Sequence, residues 1–210
     1  MNRRQMISLL AASASAAVPF SALAAVAPPT LDDISRALNA MSTLEAAFTQ
    51  FNADGSIATG TLYMSMPGKM RMEYDQGSNG GLFMVSAGRV AIFDSRSDSI
   101  ATRVSLDSTP LAPFLARNVN LRHTREVFDT QADADLLSVY ARDPDNPQRG
   151  WARFTFGGQP LRIISWVLVN EAGEETRVVL SPRQKTGHDI SPRLFSIGAE
   201  TNERAPRRFR

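Results

Sequence analysis

Side chains able to do catalytic or metal chemistry are few in this 210-residue sequence. The two histidines, His123 and His188, are far apart, and neither has a second ligand at the spacing of a metal site. Asp143 and Asp145 resemble the start of a calcium loop, but the glycine and the distal glutamate of an EF-hand are missing, which indicates a turn. The sequence contains no cysteine, which excludes thiol chemistry and disulfides. We therefore predict that the protein is not an enzyme and uses no metal and no cofactor.

A methionine-rich stretch, Gly60–Asp75, is the most informative part of the chain. It has the pattern of two extended segments joined by a Pro67-Gly68 turn. Because side chains alternate along a strand, one face of this pair is mainly apolar and carries Leu62, Met64, Met66, Met70, Met72 and Tyr74. Methionine is flexible and polarisable, and it suits irregular or changing apolar partners. Two interpretations stay open at this point: a core that uses methionine as filler, and the wall of a lipid pocket.

The first 24 residues have the three parts of a signal peptide. A basic head, Asn2–Gln5, precedes an apolar run, Met6–Phe20, and Ala22 and Ala24 are the small residues that a signal peptidase reads. We predict cleavage after Ala24 and export to the periplasm, by the Sec route in preference to the twin-arginine route. Residues 25–210 are predicted to form a single domain, with 203–210 as a disordered basic tail.

Removal of this peptide changes the charge of the chain. Arg3 and Arg4 leave with it, so 21 of the 23 basic residues remain beside 21 acidic residues, and the mature chain is formally neutral. A neutral chain lacks the basic excess that nucleic-acid binding needs, so no nucleic-acid partner is predicted.

The elements that position the methionine-rich pair follow from the periodicity. Thr30 and Asp33 form a capping box, and apolar residues at steps of three and four predict one helix over Thr30–Phe48. After it, short period-two segments separated by turns predict an antiparallel meander. Its strands are predicted at Ile57–Met66, Lys69–Tyr74, Leu82–Ser86, Arg89–Asp94, Ser99–Leu106, Glu126–Thr130, Leu136–Arg142, Trp151–Phe156, Leu161–Asn170 and Glu175–Ser181. Short helical turns over Ser108–Ala116 interrupt the meander.

Several motifs stand in a recognisable order along the mature chain. They are Phe48-Thr49-Gln50-Phe51, Asp54-Gly55, the stretch from Gly60 to Tyr74, Ser86-Ala87-Gly88, Thr109-Pro110-Leu111 and the closing strands from Trp151 to Ser181. This ordered set, from about Thr30 to Ile197, resembles the periplasmic outer-membrane lipoprotein carrier family, LolA. The resemblance implies a mainly β fold with α-helices. Its sheet would be an incomplete antiparallel β-barrel of about ten or eleven strands, closed by the N-terminal helix and short lid helices over a hydrophobic cavity.

The same resemblance implies a function and partners. The protein would be a periplasmic chaperone that binds the acyl chains of lipoproteins and carries them from the inner to the outer membrane. It would act as a monomer, with an inner-membrane ABC lipoprotein-release complex and an outer-membrane lipoprotein receptor as partners. The family arginine that tethers the lid corresponds to Met66, which puts the lid latch in question. The predicted lipid-binding residues are Leu38, Met41, Leu62, Met64, Met70, Met72, Phe83, Val85, Ile92, Leu111, Phe114 and Leu115.

Two other functions remain as alternatives to the carrier. One is a lipid-sensing regulatory domain, or a carrier of another lipid, on the same scaffold. The other is a periplasmic hydrolase, which would need a polar cluster inside the cavity, and the sequence shows no motif for one.

Overall fold

The computed structural model of the protein describes residues 27–76, 81–93 and 102–204. The predicted signal peptide and its cleavage site lie outside these ranges, as do residues 205–210 of the predicted tail and residues 94 and 99–101 of the predicted strands. The first two residues of that tail, Glu203 and Arg204, belong to a helix, so the tail prediction is wrong for them. None of the helices in the described ranges is long and apolar enough to cross a membrane.

The described residues form three α-helices and twelve strands. The helices are α1 (Leu31–Ala40), α2 (Ala112–Leu115) and α3 (Ile197–Arg204). The strands are β1 (Thr43–Phe51), β2 (Ile57–Ser65), β3 (Lys69–Tyr74), β4 (Leu82–Ser86), β5 (Arg89–Phe93), β6 (Thr102–Ser105), β7 (Val127–Asp133), β8 (Leu136–Ala141), β9 (Gly150–Gly157), β10 (Arg162–Asn170), β11 (Glu175–Leu180) and β12 (Lys185–Thr186).

The N-terminal helix starts as predicted and ends earlier. The Thr30 hydroxyl accepts a hydrogen bond from the Asp33 backbone N–H, and the Asp33 carboxylate accepts one from the Thr30 N–H, so the capping box is confirmed. The helix stops at Ala40, so the predicted continuation to Phe48 is wrong. Leu44 and Phe48 fit a helical step of four and equally a strand step of two. Pairing with β2 along nine residues decides for the strand.

All the strands form one antiparallel sheet that does not close. Its order is β6-β5-β4-β3-β2-β1-β11-β10-β9-β8-β7, and β12 pairs with β1 beside β11. This arrangement confirms the predicted mainly β fold with an incomplete barrel. The sheet has two strands more than the ten predicted, because most of β1 falls in the segment predicted as helix and β12 is only two residues long. Strand β1 is central, with β2 on one side and β11 and β12 on the other.

The concave face of the sheet carries rows of directly paired apolar residues. Leu62 pairs with Met72, and Met64 pairs with Met70, so the two strands share the predicted apolar face. These four side chains are buried in one large core cluster. The cluster also includes Ile34 and Leu38 of α1 and Phe114 and Leu115 of α2, which cover the concave face. The predicted helices over an apolar interior are therefore present.

The convex face of β3, β4 and β5 is covered by the C-terminal segment, which the sequence did not predict. A single helical turn, Pro192–Phe195, and α3 lie across these strands, and Ile197 packs on a small apolar cluster of Leu82, Met84, Ala91 and Phe93. Arg71 points to this face, opposite Met70 and Met72, as the alternation predicts. Its guanidinium is nevertheless buried, because α3 lies over it.

Arg71 connects the sheet to α3 through a buried ionic network. Its guanidinium lies 2.6 Å from Glu73 and 3.0 Å from Glu200, and it donates to the Leu194 carbonyl at 2.9 Å. Arg204 donates to the other oxygen of Glu200 at 2.7 Å. Burial of the Glu200 carboxyl raises its pKa, but the hydrogen bonds from Arg204 and Arg71 outweigh that effect and hold the pKa below its ordinary value of 4.5.

We expect the Glu200→Gln substitution to lower the free energy of unfolding at neutral pH by about 2 kcal/mol, because Arg71 loses a buried counter-ion. A carboxyl whose pKa is depressed on folding stabilises the protein above its unfolded pKa and loses that effect as the pH falls through the folded pKa. The difference from wild type should therefore shrink below the ordinary Glu pKa of 4.5. Urea unfolding of both proteins at neutral and acidic pH measures this difference in the free energy of unfolding.

The matched control for this experiment is Glu203→Gln on the same helix. Glu203 pairs with Arg193 at 2.8 Å, but both side chains are more than half exposed. Exposed pairs contribute about 0.5 kcal/mol or less. Equal losses in the two variants at neutral pH would contradict a special role for the buried network.

Candidate functional site

A groove opens between α1 and the end of the sheet that contains the β9–β10 turn, and we call it the α1 groove. Its volume is about 530 Å³, within the range of small-molecule sites. One wall is α1, and the others are the β9–β10 turn and the segment 182–187. Gln184 donates to the Ile163 carbonyl at 2.7 Å and so holds that segment against β10. The apolar lining residues are Ile34, Ala37, Leu38, Ala40, Met41, Leu44, Phe156, Pro160, Leu161, Ile163 and Pro182.

The α1 groove is continuous with the packed interior of the sheet. Five of its lining residues, Ile34, Leu38, Leu44, Phe156 and Ile163, also belong to the large core cluster. The methionines of β2 and β3 lie deeper in the same cluster and do not line the groove. The groove and the interior together form one apolar region, part open and part filled by side chains.

Helix α2 packs into the core cluster that also contains Met64, Met70 and Met72, which we call the methionine wall. The ring centroid of Phe114 lies 4.1 Å from that of Phe154 and 6.0 Å from that of Phe156, and Leu115 is buried beside it. Pro113 at the start of the helix fits there because the first turn leaves its N–H groups unbonded. Among the described residues, α2 makes no hydrogen bond to the sheet, so apolar packing alone holds it in place.

The chain that follows α2 is anchored to α1 by polar contacts. Asn39 donates to the Val119 carbonyl at 2.9 Å and accepts from the Val119 N–H at 2.8 Å. The Ser35 hydroxyl accepts a hydrogen bond from the Leu121 N–H at 3.0 Å. Arg122 forms a bidentate ion pair with Asp32. The chain is therefore attached to α1 at Val119, a few residues after the end of α2.

The structure brings most of the predicted lipid-binding residues together in the core cluster. Nine of them lie within it, namely Leu38, Leu62, Met64, Met70, Met72, Val85, Leu111, Phe114 and Leu115, and Met41 is partly buried against it. Phe83 is partly buried against the same cluster. Only Leu38 and Met41 line the α1 groove. Contact of these residues with a lipid stays a prediction.

Ile92 is the exception, because it lies outside the core cluster, and its contact with a lipid stays a prediction. It lies on the concave face, paired with Phe83, but 49% of its surface is exposed. Strand β5 is next to the edge of the sheet. Val90, two residues earlier on the same face, is the β5 residue that enters the core. The exposed Val104 on β6 continues this uncovered edge.

Several residues of the apolar region were not predicted from the sequence. They are Phe154, Phe156, Leu161, Ile163, Trp166 and Pro182. The alternation of Ala152, Phe154 and Phe156 in a predicted strand was a usable signal, because all three face one side and all three are buried. No local pattern indicated that the β9–β10 turn would approach α1.

Met66, at the position of the predicted latch, lies beside the lid. It is partly buried against the core, and its backbone N–H donates to the Ser42 carbonyl at 2.8 Å. A small cleft there is lined by the end of α1, Pro67, Ala116 and Arg117. A thioether donates no hydrogen bond, so the side chain of Met66 contacts this region by packing.

The residues first considered for chemistry have structural roles. His123 is exposed beside Asn120. His188 lies 3.1 Å from Glu45 and holds the β12 segment against β1. Asp143 accepts from the backbone N–H groups of Asp145 and Asn146, which confirms the turn. The side-chain hydrogen bond from Asn146 holds the pKa of Asp143 below its ordinary value. In residues 27–76, 81–93 and 102–204, no group of three or more potential ligands could hold a metal ion.

Arg162 is the one charged residue among the described residues that line the α1 groove. Its Nε–H is buried and has no hydrogen-bond partner. No carboxylate of the described chain forms an ion pair with its guanidinium. An apolar groove of this kind is suited to a ligand that is largely apolar.

The chain shows similarity to several solved structures. An uncharacterised conserved protein from Thermus thermophilus is 9% identical, with a TM-score of 0.45, and the match covers 78% of this chain and 89% of that chain. A LolA superfamily protein from Nitrosomonas europaea is 10% identical, with a TM-score of 0.38, over 80% of this chain and 98% of that one. A chain of the Pseudomonas aeruginosa MucA/MucB complex is 16% identical, with a TM-score of 0.40, over 81% of this chain and 60% of that one.

Comparison with protein families gives a clearer result than comparison with individual proteins. No curated protein matches the chain. The family model described as outer membrane lipoprotein carrier protein LolA matches residues 39–198, well over half of the sequence. That range includes the whole sheet, the lid and the end of α1. The chain therefore belongs to the outer membrane lipoprotein carrier protein LolA family.

Proposed function

We propose that the protein is a periplasmic carrier that binds the acyl chains of lipoproteins and moves them from the inner to the outer membrane. The observation that carries this proposal is the apolar region formed by the concave face, α1 and α2, which opens through the α1 groove. Membership of the LolA family supports it. The proposed partners are acylated lipoproteins, an inner-membrane ABC lipoprotein-release complex and an outer-membrane lipoprotein receptor. The carrier acts as a monomer and performs no chemistry.

The physical need for such a carrier is the cost of exposing acyl chains to water. Each methylene removed from water contributes about 0.8 kcal/mol, so a long chain strongly favours any apolar shelter. The same chain must leave again at its destination. A wall of methionines suits both steps, because the side chain adapts to the ligand and repacks when the ligand leaves.

Loading requires α2 to withdraw, because Phe114 and Leu115 fill part of the same core cluster as the methionine wall. The lid that moves is residues 109–118, which lie before the contacts of Val119 with Asn39. Apolar contacts alone hold α2, so an entering acyl chain replaces them with contacts of the same kind. Without an arginine at position 66, the lid closes by packing rather than by a polar latch.

Mass spectrometry of the mature protein, purified from its native periplasm and analysed before and after organic extraction, tests this function. We expect a triacylated lipoprotein to co-purify, because its chains bury more apolar surface than any single-chain lipid. A free phospholipid in its place would support the carrier of another lipid. Failure to capture any lipid, even after incubation with lipoprotein-containing inner-membrane vesicles, would contradict the carrier function.

A further inference from the structure

Arg162 is a charged residue in an apolar groove. Neither the stability of the fold nor the binding of acyl chains explains why it is there. A guanidinium beside apolar walls is costly unless it is paired, and buried donors are nearly always bonded. Here the Nε–H is buried without a partner. The other polar side chains of the α1 groove, Ser42, Gln184 and Thr186, carry no charge that could compensate it.

The local backbone makes room for this guanidinium. Gly158 has a positive φ of 82°, which favours glycine, and a Cβ at this position would lie 3.2 Å from Cζ of Arg162. A side chain at position 158 would therefore crowd the guanidinium. Arg162 follows the tight turn after β9, so the turn places a cation at one end of an apolar groove.

Neighbouring charges do not neutralise it. Asp33 and Arg36, in the adjoining cleft, pair with each other at 2.9 Å. Glu45, on the other face of β1, is shared by Lys185 and His188. Asp135, which lines the same cleft as Asp33, forms no ion pair with Arg162. The guanidinium is the charge available to a ligand in the α1 groove.

We infer that the α1 groove binds an amphiphile whose alkyl chain ends in one anionic oxygen group, a carboxylate or a phosphate, and that Arg162 is its head-group residue. The alkyl chain lies against Leu38, Met41 and Leu161, and the anion accepts hydrogen bonds from the N–H groups that the Arg162 guanidinium presents to the groove. Charge-assisted hydrogen bonds of this kind are about twice as strong as neutral ones. The inference rests on the proposed lipid-binding function and specifies the ligand class of its open part.

Titration calorimetry of the mature wild-type protein with dodecanoate, dodecyl phosphate, dodecanol and inorganic phosphate tests the inference. We expect both anionic amphiphiles to bind about tenfold more tightly than the neutral alcohol, and inorganic phosphate alone to show no binding. A preference for one of the two anions identifies the head group. Equal affinity for dodecanoate and dodecanol would overturn the role of Arg162 and leave lipid binding intact. Binding of none of the three alkyl ligands would overturn lipid binding itself.

Variants locate the effect at one residue. Arg162→Gln should lose the preference for the anions and keep its affinity for dodecanol, and Arg162→Lys should restore part of the preference. Arg183→Gln is the matched control, because Arg183 is exposed and lies outside the groove lining. An unchanged preference in Arg162→Gln, or an equal loss in Arg183→Gln, would contradict the assignment. The wild-type comparison stands without the variants if a substitution impairs folding.

Discussion

The Leu115→Glu substitution is expected to reduce binding of triacylated lipoprotein at least about a hundredfold, since an uncompensated carboxylate in an apolar site costs about 3 kcal/mol or more. Leu115 is 3% exposed and belongs to the core cluster with Phe114. The charge prevents α2 from covering either the methionine wall or an acyl chain lying on it. Transfer of lipoprotein from membrane vesicles to the soluble protein measures the loss.

Asn118→Glu is the matched control for this variant, because Asn118 is exposed at the end of the same lid. It introduces the same charge outside the apolar region and should transfer lipoprotein as the wild type does. The circular dichroism of both proteins should retain the β-sheet signal, since α2 is four residues long and makes no hydrogen bond to the sheet within the described chain. Wild-type transfer by Leu115→Glu would show that the lid face does not contact cargo.

The Ala46→Glu substitution is expected to destabilise the protein by about 4 kcal/mol, because it places a carboxylate in the interior. Ala46 is 2% exposed and pairs with Leu62 on the concave face. Its neighbour Ala47 pairs with Thr61 on the convex face and is exposed. Ala47→Glu should therefore change the free energy of unfolding by about 0.5 kcal/mol or less. Urea unfolding of the two variants measures both values.

This pair of substitutions separates a strand from a helix over residues 43–51. In a helix with Leu44 and Phe48 on its buried side, Ala46 would be rotated about 200° from Leu44 and would face solvent. Glutamate at position 46 would then be tolerated. In β1 the same residue lies between two buried partners on the same face, Leu44 and Phe48. A harmless Ala46→Glu would contradict both the strand and its register.

Predictions from the sequence succeeded where the relevant interactions are local. Residues three apart form the capping box of Thr30 and Asp33, and hairpin partners close in sequence set the register of Leu62 with Met72. Nine of the predicted strands start within one residue of their observed starts. A period-two pattern between turns has one favourable arrangement, which is a strand with its apolar side on the core.

Predictions failed where two local patterns fit equally well or where distant segments meet. The end of α1 depended on pairing with β2, which no residue of Thr43–Phe48 encodes alone. Burial of Arg71 depended on α3, more than 120 residues later in the chain. Exposure of Ile92 depended on the place of β5 one strand from the edge of the sheet. Each of these outcomes is a property of the assembled surfaces.

The sequence by itself determined an antiparallel sheet with an apolar methionine-rich face, a capped helix to lie on it and short helical turns that begin at prolines. These features follow from periodicity and turn chemistry, whose energies arise between near neighbours. Only the tertiary structure decided that the lid fills the interior, that the open part of the apolar region lies beside α1, and that Arg162 stands unpaired in it. The α1 groove combines segments from residue 34 to residue 187, and no local pattern encodes the space between them.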